Sequence, residues 1–598
     1  MGGSVVATAR DRVLAFVNDP NRVSDGQRQA VEHPGNFFLS ACPGSGKTRT
    51  VGVRIALASV EDDDRLVAGT SYTNTAVGEM QKAAAAAGAP IVEPYFVGTL
   101  HGFLLAHVFY PFAHLVMNCE PPARLVFGDF HRANDPKVFA AWEGGKPKYP
   151  PLAVWDFHFR PDGSVAVNRG DVPHGVPFDA DDVALRCRDQ VVKAKRALAT
   201  KGIASPSDAM YWALEVLRTQ PTITDALAAR YDEIIVDEVQ DTSAVQLECI
   251  RALHATGTLR SIVLTGDLEQ AIYEWAGAKP ADVEALVDDL GLEVLPLTEN
   301  FRSSQALCDV AHKFSRRPSP DVAVGENHAY GRPPELLIYG KDEPRDAVVA
   351  FVRRLDELAI EMGAARVLCR SHALQDALLE AKSVSLNRTM RTLGRAAAAI
   401  REAGAAAIAR RDVEELERLL KSFIWEEHPA TLDWEERLAI RDALMRLFDL
   451  LPDVDLPLEE WIPLARLAVK DALSVFGTLE VNPSNKMKVL PGQGKVTALD
   501  AFGRRVGALL EPLTVHSVKG ETHDAVLLVG RKTSKYEHAA QWLAPPDSAP
   551  EPEEVRVAYV ALTRAAKLCV VALPSDTAQD VIDEFVARGF VMAAQAED

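Results

Sequence analysis

Residues 37–48 read F-F-L-S-A-C-P-G-S-G-K-T, an apolar run that breaks into two glycines, a lysine and a threonine. The apolar part suits a buried strand, and a helix-compatible stretch follows. In a strand–loop–helix unit of this kind, backbone N–H groups of the loop cradle phosphate oxygens. Ala41, Pro43, Gly44, Ser45 and Gly46 would form that cradle, Lys47 would reach the outer phosphates, and Thr48 would ligate Mg²⁺. Ala41 stands where the general G-x-x-x-x-G-K-T pattern has its first glycine. The competing reading is a Gly-rich turn with no ligand.

Three similar units lie further along. Leu66-Val67-Ala68 leads into GTSYTN, Ile234-Ile235-Val236 into DEVQD, and Ile262-Val263-Leu264 into TGDLEQ. Apolar strands alternating with helical segments indicate a parallel sheet covered on both faces, with ligands at the strands' carboxyl ends. DEVQD supplies the other half of a phosphate site. Asp237 is positioned to hold Mg²⁺ and Glu238 to polarise an attacking water. Two adjacent carboxylates after a buried strand are costly without such a task. Together the motifs point to an Mg·NTP hydrolase. A second set of strand-like runs (336–338, 367–368, 526–529 and 570–573) indicates a second α/β domain.

Length and composition set the frame. On a prior of about 150 residues per domain, 598 residues make about four folded units. Hydrophobic residues are 47% and charged residues 25%, a globular composition. No uninterrupted apolar run nears the ~20 residues of a membrane span, and Arg10, Asp11 and Arg12 stand where an export signal would be apolar. Seven scattered cysteines with no C-x-x-C pair argue against zinc or a disulfide framework and for a cytoplasmic protein. A net charge of -19 repels phosphate on average, so nucleic acid must be held in a locally basic groove. Residues 141–178, rich in Pro, Gly and aromatics, are expected to be irregular, and residues 544–554 to be a Pro-rich acidic loop.

The order of these motifs resembles that of UvrD/Rep/PcrA-type superfamily-1 DNA helicases, along nearly the whole chain. The resemblance implies two RecA-like domains with ATP in the cleft between them, each interrupted by a mainly helical subdomain. On that pattern 1A is 1–103 with 226–300, 1B is 104–225, 2A is 301–381 with 509–598, and 2B is 382–508. It also implies site residues. Gln27 in SDGQRQA would hydrogen-bond adenine, and Arg49 with Phe301 would sandwich it. Gln270 in TGDLEQ would sense the γ-phosphate. Arg302 in ENFRSS and Arg564 in VALTRA would be arginine fingers from 2A, worth about 10³–10⁵ in rate. Lys47, Asp237 and Glu238 complete the catalytic set.

Strand-binding residues follow in the same way. Tyr72, Thr73 and Asn74 lie in the stretch resembling motif Ia, Thr99 and His101 in motif Ib, Tyr273 and Trp275 in motif III, and Thr514 and His516 in motif V. Stacking of bases on aromatics contributes ~1–3 kcal/mol per base and tolerates any sequence, as a motor on arbitrary DNA requires. Ala276 replaces a frequent arginine of the family. Beyond Gly520, which would touch nucleotide, Glu521 sits one place ahead of the family's glutamate, with Thr522 in its stead. Basic side chains gather at Arg186, Arg188, Lys193, Lys195, Arg196 and Lys201, and at Arg388, Arg391, Arg395, Arg401, Arg410 and Arg411. Each group is read either as a duplex contact or as a solvated helix face.

Two functions fit these motifs. One is an ATP-dependent translocase acting on single-stranded DNA and ss/ds junctions, in repair or defence, with a 3′–5′ polarity that the resemblance alone implies. The other is a DNA-dependent ATPase subunit that controls a partner nuclease, since KGETHD resembles UvrD-like proteins of Gabija-type anti-phage defence. RNA is the less favoured strand.

Overall fold

The computed structural model describes residues 8–61, 65–126, 136–143, 146–168, 171–172, 176–274, 277–341, 343–378, 388–404, 408, 410–424, 434–476, 495, 497–499, 510–531, 539–545 and 553–593. The chain divides into two compact units, Met1–Pro333 with Ala544–Lys567, and Pro334–Leu543 with Leu568–Asp598.

Unit 1 is built on a parallel sheet of β1 (Phe37–Ala41), β2 (Val67–Ser71), β3 (Phe96–Thr99), β4 (Glu233–Asp237), β5 (Ser261–Gly266) and β6 (Glu293–Leu297). Their order in space is β6-β1-β5-β4-β2-β3, which sets the phosphate-loop strand between β6 and β5. Successive side chains of a strand point to opposite faces. Phe38, Ile234, Val236, Ile262 and Leu264 accordingly enter one core, and Phe37, Leu39, Ile235 and Val263 enter the other. The second core is closed by Val51 and Ile55 of the helix that follows the phosphate loop. That helix is α2 (Lys47–Ala58). It lies between α1 (Asp25–Glu32) in sequence and α3 (Asn74–Ala87), which follows β2.

Arg54 pins α2 from within. It is buried at 2% exposure, and its guanidinium meets the Glu233 carboxylate and the carbonyls of Ala30, Val31 and His33.

The helical stretch Leu100–Met117 is long and apolar enough to cross a bilayer by length and composition. Its residues Leu100, Phe103, Leu104, Val108, Phe109, Ala113 and Met117 are instead buried in the unit 1 core. Beyond it, helices Ala180–Ala199, Pro206–Thr219 and Pro221–Arg230 carry the chain back to β4.

Residues 141–178 differ from the irregular stretch expected. Trp142–Glu143 pairs with Lys146–Pro147, and Phe157–Phe159 with Val165–Val167, both antiparallel. Pro161, Asp162 and Gly163, which read as breakers, form the reversal of the second hairpin, where Arg160 N donates to Ser164 O at 2.8 Å. The alternation of Phe157 and Phe159 then turns both rings inward.

Unit 2 has its own parallel sheet of β7 (Glu335–Tyr339), β8 (Ala365–Cys369), β9 (Pro512–Thr514), β10 (His523–Val529), β11 (Ala565–Pro574) and β12 (Val591–Met592), in the order β9-β8-β10-β11-β7-β12. The two sheets make the protein a pair of RecA-like α/β assemblies. Between β8 and β9 the chain forms helices Arg388–Ala403, Arg410–Ile424, Trp434–Leu450 and Leu458–Ala472. These enclose a separate core around Leu393, Leu416, Leu447, Trp461 and Val469. Of the acidic stretch 544–554, residues 546–552 lie outside the described residues.

Candidate functional site

The phosphate loop begins where β1 ends at Ala41. Gly44 and Gly46 adopt φ of +75° and +76°, a backbone that side chains disfavour, and it turns successive N–H groups toward one concavity. Pro43 is buried beside them. Ser45 Oγ donates to Cys42 O at 2.7 Å and tightens the loop. Gly46 caps α2, and no side chain satisfies the free N–H groups there. An anion answers that demand and the helix dipole together.

Gln27 holds the loop from outside. Its Nε2 donates to Ser45 O at 2.8 Å, while its Oε1 accepts from Ser24 N at 3.1 Å as part of a capping box. One amide hydrogen and one lone pair are left over for an adenine edge. Arg49 is exposed and its guanidinium sits 5.7 Å from the Phe16 ring, a neighbour the sequence did not suggest. Phe301 is 42% exposed, and its N–H donates to Gly44 O at 3.0 Å.

The carboxylates of DEVQD close the other side. Lys47 Nζ lies 2.8 Å from Glu238 Oε1. Burial pulls the Lys47 ammonium down, but Glu238 and Asp237 outweigh it and hold the group above the ordinary lysine. Thr48 Oγ1 donates to Asp237 Oδ2 at 2.7 Å. Asp237 Oδ1 is buried with no hydrogen-bond partner, and Thr265, its register neighbour on β5, likewise has an unpartnered hydroxyl. Burial, then the nearby Glu238, raises the Asp237 carboxyl to about 7.

Oxygen donors with an unmet lone pair suit a hard cation. Mg²⁺ takes one or two side-chain oxygens and fills its octahedron with water and phosphate oxygens. Thr48 and Asp237 fit that description. No cluster of three or more acidic, His or Cys side chains able to hold a metal alone occurs among the described residues.

Two guanidiniums face this loop. Arg302 donates from Nη1 to Thr563 O at 2.9 Å, and Gly44 packs so closely that a Cβ there would meet Arg302 Cβ at 2.6 Å. Burial, then the charge of Arg564, pushes Arg302 down to about 9. Arg564 follows α5 (Glu553–Leu562), with α4 (Gln305–His312) packed nearby, and its Nη2 donates to Gln270 Oε1 at 2.9 Å. Gln270 in turn donates to Asp267 Oδ2 at 2.8 Å. Arg317, which the sequence did not single out, donates to both Asp267 Oδ1 at 2.9 Å and Ala41 O at 2.7 Å. A polar chain thus runs from the phosphate loop through Arg317, Asp267 and Gln270 to Arg564. Phosphate loop, ENFRSS and the α5 segment all belong to unit 1.

Tyr72, just after β2, and Tyr273, in the segment after β5, bring their rings to 5.4 Å, tilted by 36°, with Tyr72 39% exposed. Thr73 caps α3 by accepting from Ala76 N at 3.2 Å, and Thr99 accepts from Gly102 N at 2.9 Å. Each hydroxyl keeps its own hydrogen to donate. Asn74 is exposed at the start of α3, and His101 is half-buried, which lowers its pKa. Trp275 and Ala276 lie outside the described residues.

In unit 2, Thr514 ends β9, His516 lies in the short turn after it, and Gly520 takes φ +89°. Glu521 stands 3.0 Å from His523 Nε2.

The basic groups need one correction. Lys195 is buried at 2% exposure, with Nζ 2.6 Å from Asp208 Oδ2, because the position faces the core of its helix; it cannot meet a duplex. Arg186, Arg188, Lys193, Arg196 and Lys201 are exposed. Arg401 is paired with Asp453 and Asp455, and the side chains of Arg388, Arg410 and Arg411 lie outside the description.

Comparison with known proteins bears on the family. The UvrD/REP helicase N-terminal domain matches residues 23–118 and 179–290. The interval it skips contains the short hairpins. DNA helicase II of Escherichia coli (strain K12) is 26% identical, over 60% of this chain and 50% of its own. Rep of the same organism is 24% identical over 51% and 46%. UvrD2 of Mycobacterium tuberculosis is 24% identical over 92% of this chain and 79% of its own. The chain spans about half the length of the first of these relatives.

Proposed function

The chain belongs, through its N-terminal domain, to the UvrD/Rep-type superfamily-1 helicases, and on that premise we propose that it is an ATP-dependent DNA translocase and helicase. It runs 3′ to 5′ on single-stranded DNA, acts at ss/ds junctions in the cytoplasm, and serves repair or anti-phage defence.

One observation carries the reading: a phosphate-shaped loop faces a buried carboxylate with an unmet oxygen and two guanidiniums that repel each other. Lys47 exchanges Glu238 for the outer phosphate oxygens. Thr48 and Asp237 would hold Mg²⁺, and the ion would supply neutralisation of phosphate charge. Glu238, released, orients and deprotonates water. Arg302 and Arg564 oppose the charge that grows on the transferring phosphoryl group. Gln270, bonded to Arg564, reports that event toward Tyr273, three residues on, and Tyr72 and Tyr273 grip the bases.

The test is ATPase rate with and without single-stranded DNA in the wild type, Lys47→Ala and Glu238→Gln. DNA stimulation lost in both variants supports a coupled motor; hydrolysis indifferent to DNA sinks it. Duplexes with 3′ or 5′ tails then read polarity. An ATPase stimulated by DNA that opens neither tailed duplex would favour the nuclease-controlling subunit.

A further inference from the structure

Arg556 is among the most deeply buried side chains of unit 1, at 1% exposure, yet it touches nothing in the phosphate loop among its described hydrogen bonds and ion pairs. Its Nε donates to Ala271 O at 2.7 Å, and its Nη2 pairs with Glu274. At the far end of the same segment, Arg564 donates to Gln270. Gln270 and Glu274 bracket Tyr273. The α5 segment therefore holds the loop that carries Tyr273 at Ala271 and Glu274 through Arg556, and at Gln270 through Arg564, two residues past the helix.

A guanidinium is seldom withdrawn from water without a task, since its desolvation must be offset by well-formed partners. The two ends of α5 differ in what surrounds them. Arg564 faces a site built for phosphate, where a bound nucleotide competes with Gln270 for its N–H groups. Arg556 bonds to Ala271 O and Glu274 of the loop. A shift of α5 driven at the Arg564 end is therefore delivered to residues 271–274 by Arg556, and with them to the Tyr273 ring beside Tyr72.

We propose that Arg556 is a positioning residue that couples nucleotide occupancy to the grip of Tyr273 on a DNA strand, with Glu274 as its anchor. This rests on the ATP- and DNA-binding function proposed above. Coupling of this kind is a difference in affinity between two occupancy states, and it is reciprocal.

The test uses the full chain and a fluorescent oligo-dT, titrated with and without a non-hydrolysable ATP analogue. Wild type should show an affinity ratio of about fivefold or more between the two states. Glu274→Gln and Arg556→Lys should bring that ratio toward one, with analogue affinity in the absence of DNA kept within about twofold. Glu274 is partly exposed, so its variant keeps the core intact. A wild-type ratio preserved in both variants overturns the proposal and leaves the helicase reading standing. Loss of the ratio together with analogue affinity and melting temperature makes Arg556 merely structural, which also overturns it. A wild type that binds no oligo-dT overturns the functional reading itself.

Discussion

Lys47 Nζ and Glu238 Oε1 stand 2.8 Å apart, so the cation proposed to meet phosphate is held by the carboxylate proposed to activate water. Glu238 reaches this position from a left-handed backbone, φ +54°, which costs roughly 1–3 kcal/mol in a non-glycine residue. On the proposed function, nucleotide must break the pair to bind. Glu238→Gln removes the competing charge and should bind ATP about tenfold more tightly, equivalent to ~1.4 kcal/mol. The same variant should lose about 10²–10⁴ in turnover, because the base is gone. Isothermal titration beside a steady-state assay separates the two; weaker binding would contradict the pair's role as a competitor.

The charge of Arg564 works against that of the buried Arg302. Arg302→Ala should therefore leave the melting temperature of the ligand-free protein unchanged or raised. Turnover should fall about 10³-fold or more. A large loss of thermal stability would instead make Arg302 a structural residue.

Gly52 lies within α2, where alanine ordinarily stabilises a helix by about 1 kcal/mol. Here a Cβ would meet Met80 O at 2.4 Å and Ala83 Cβ at 2.8 Å. The sign should reverse, with Gly52→Ala destabilising by roughly 1–3 kcal/mol in urea unfolding. Arg54→Ala, which strands the Glu233 carboxylate, should cost about 3–5 kcal/mol by the same measurement.

Asp321 is raised by burial to about 6, although Arg317 beside it works the other way. A folded-state pKa above the unfolded one means that the ionised form is disfavoured in the fold. The penalty is fully present above about pH 6 and is gone below the ordinary aspartate value of 3.8. Asp321→Asn should accordingly raise the melting temperature at pH 8 more than at pH 4.5. An equal shift at both values would contradict this account.

Much of the fold was legible because a central parallel strand is written locally. Phe37–Leu39, Ile234–Val236 and Ile262–Leu264 are continuous apolar runs, and each lies within an observed strand. The hairpin at 157–167 was not legible, since Pro161 and Gly163 break periodicity equally in a loop and in a turn. Burial of Lys195 was hidden for another reason: only tertiary packing brings Asp208 to it. The same holds for Arg317 and Arg556, whose partners Asp267 and Glu274 are 50 and 282 positions away. A motif shows which residue types meet a ligand, whereas the residues that hold them belong to the packing.

The unmet oxygen of Asp237 and the crowded arginines have a bearing on the protein's lifetime in the cell. A ligand that binds only the folded form stabilises it by mass action. Survival against proteases then tracks how often the site is filled. On the proposed function, resistance to proteolysis would therefore rise with the fraction of the chain that holds nucleotide.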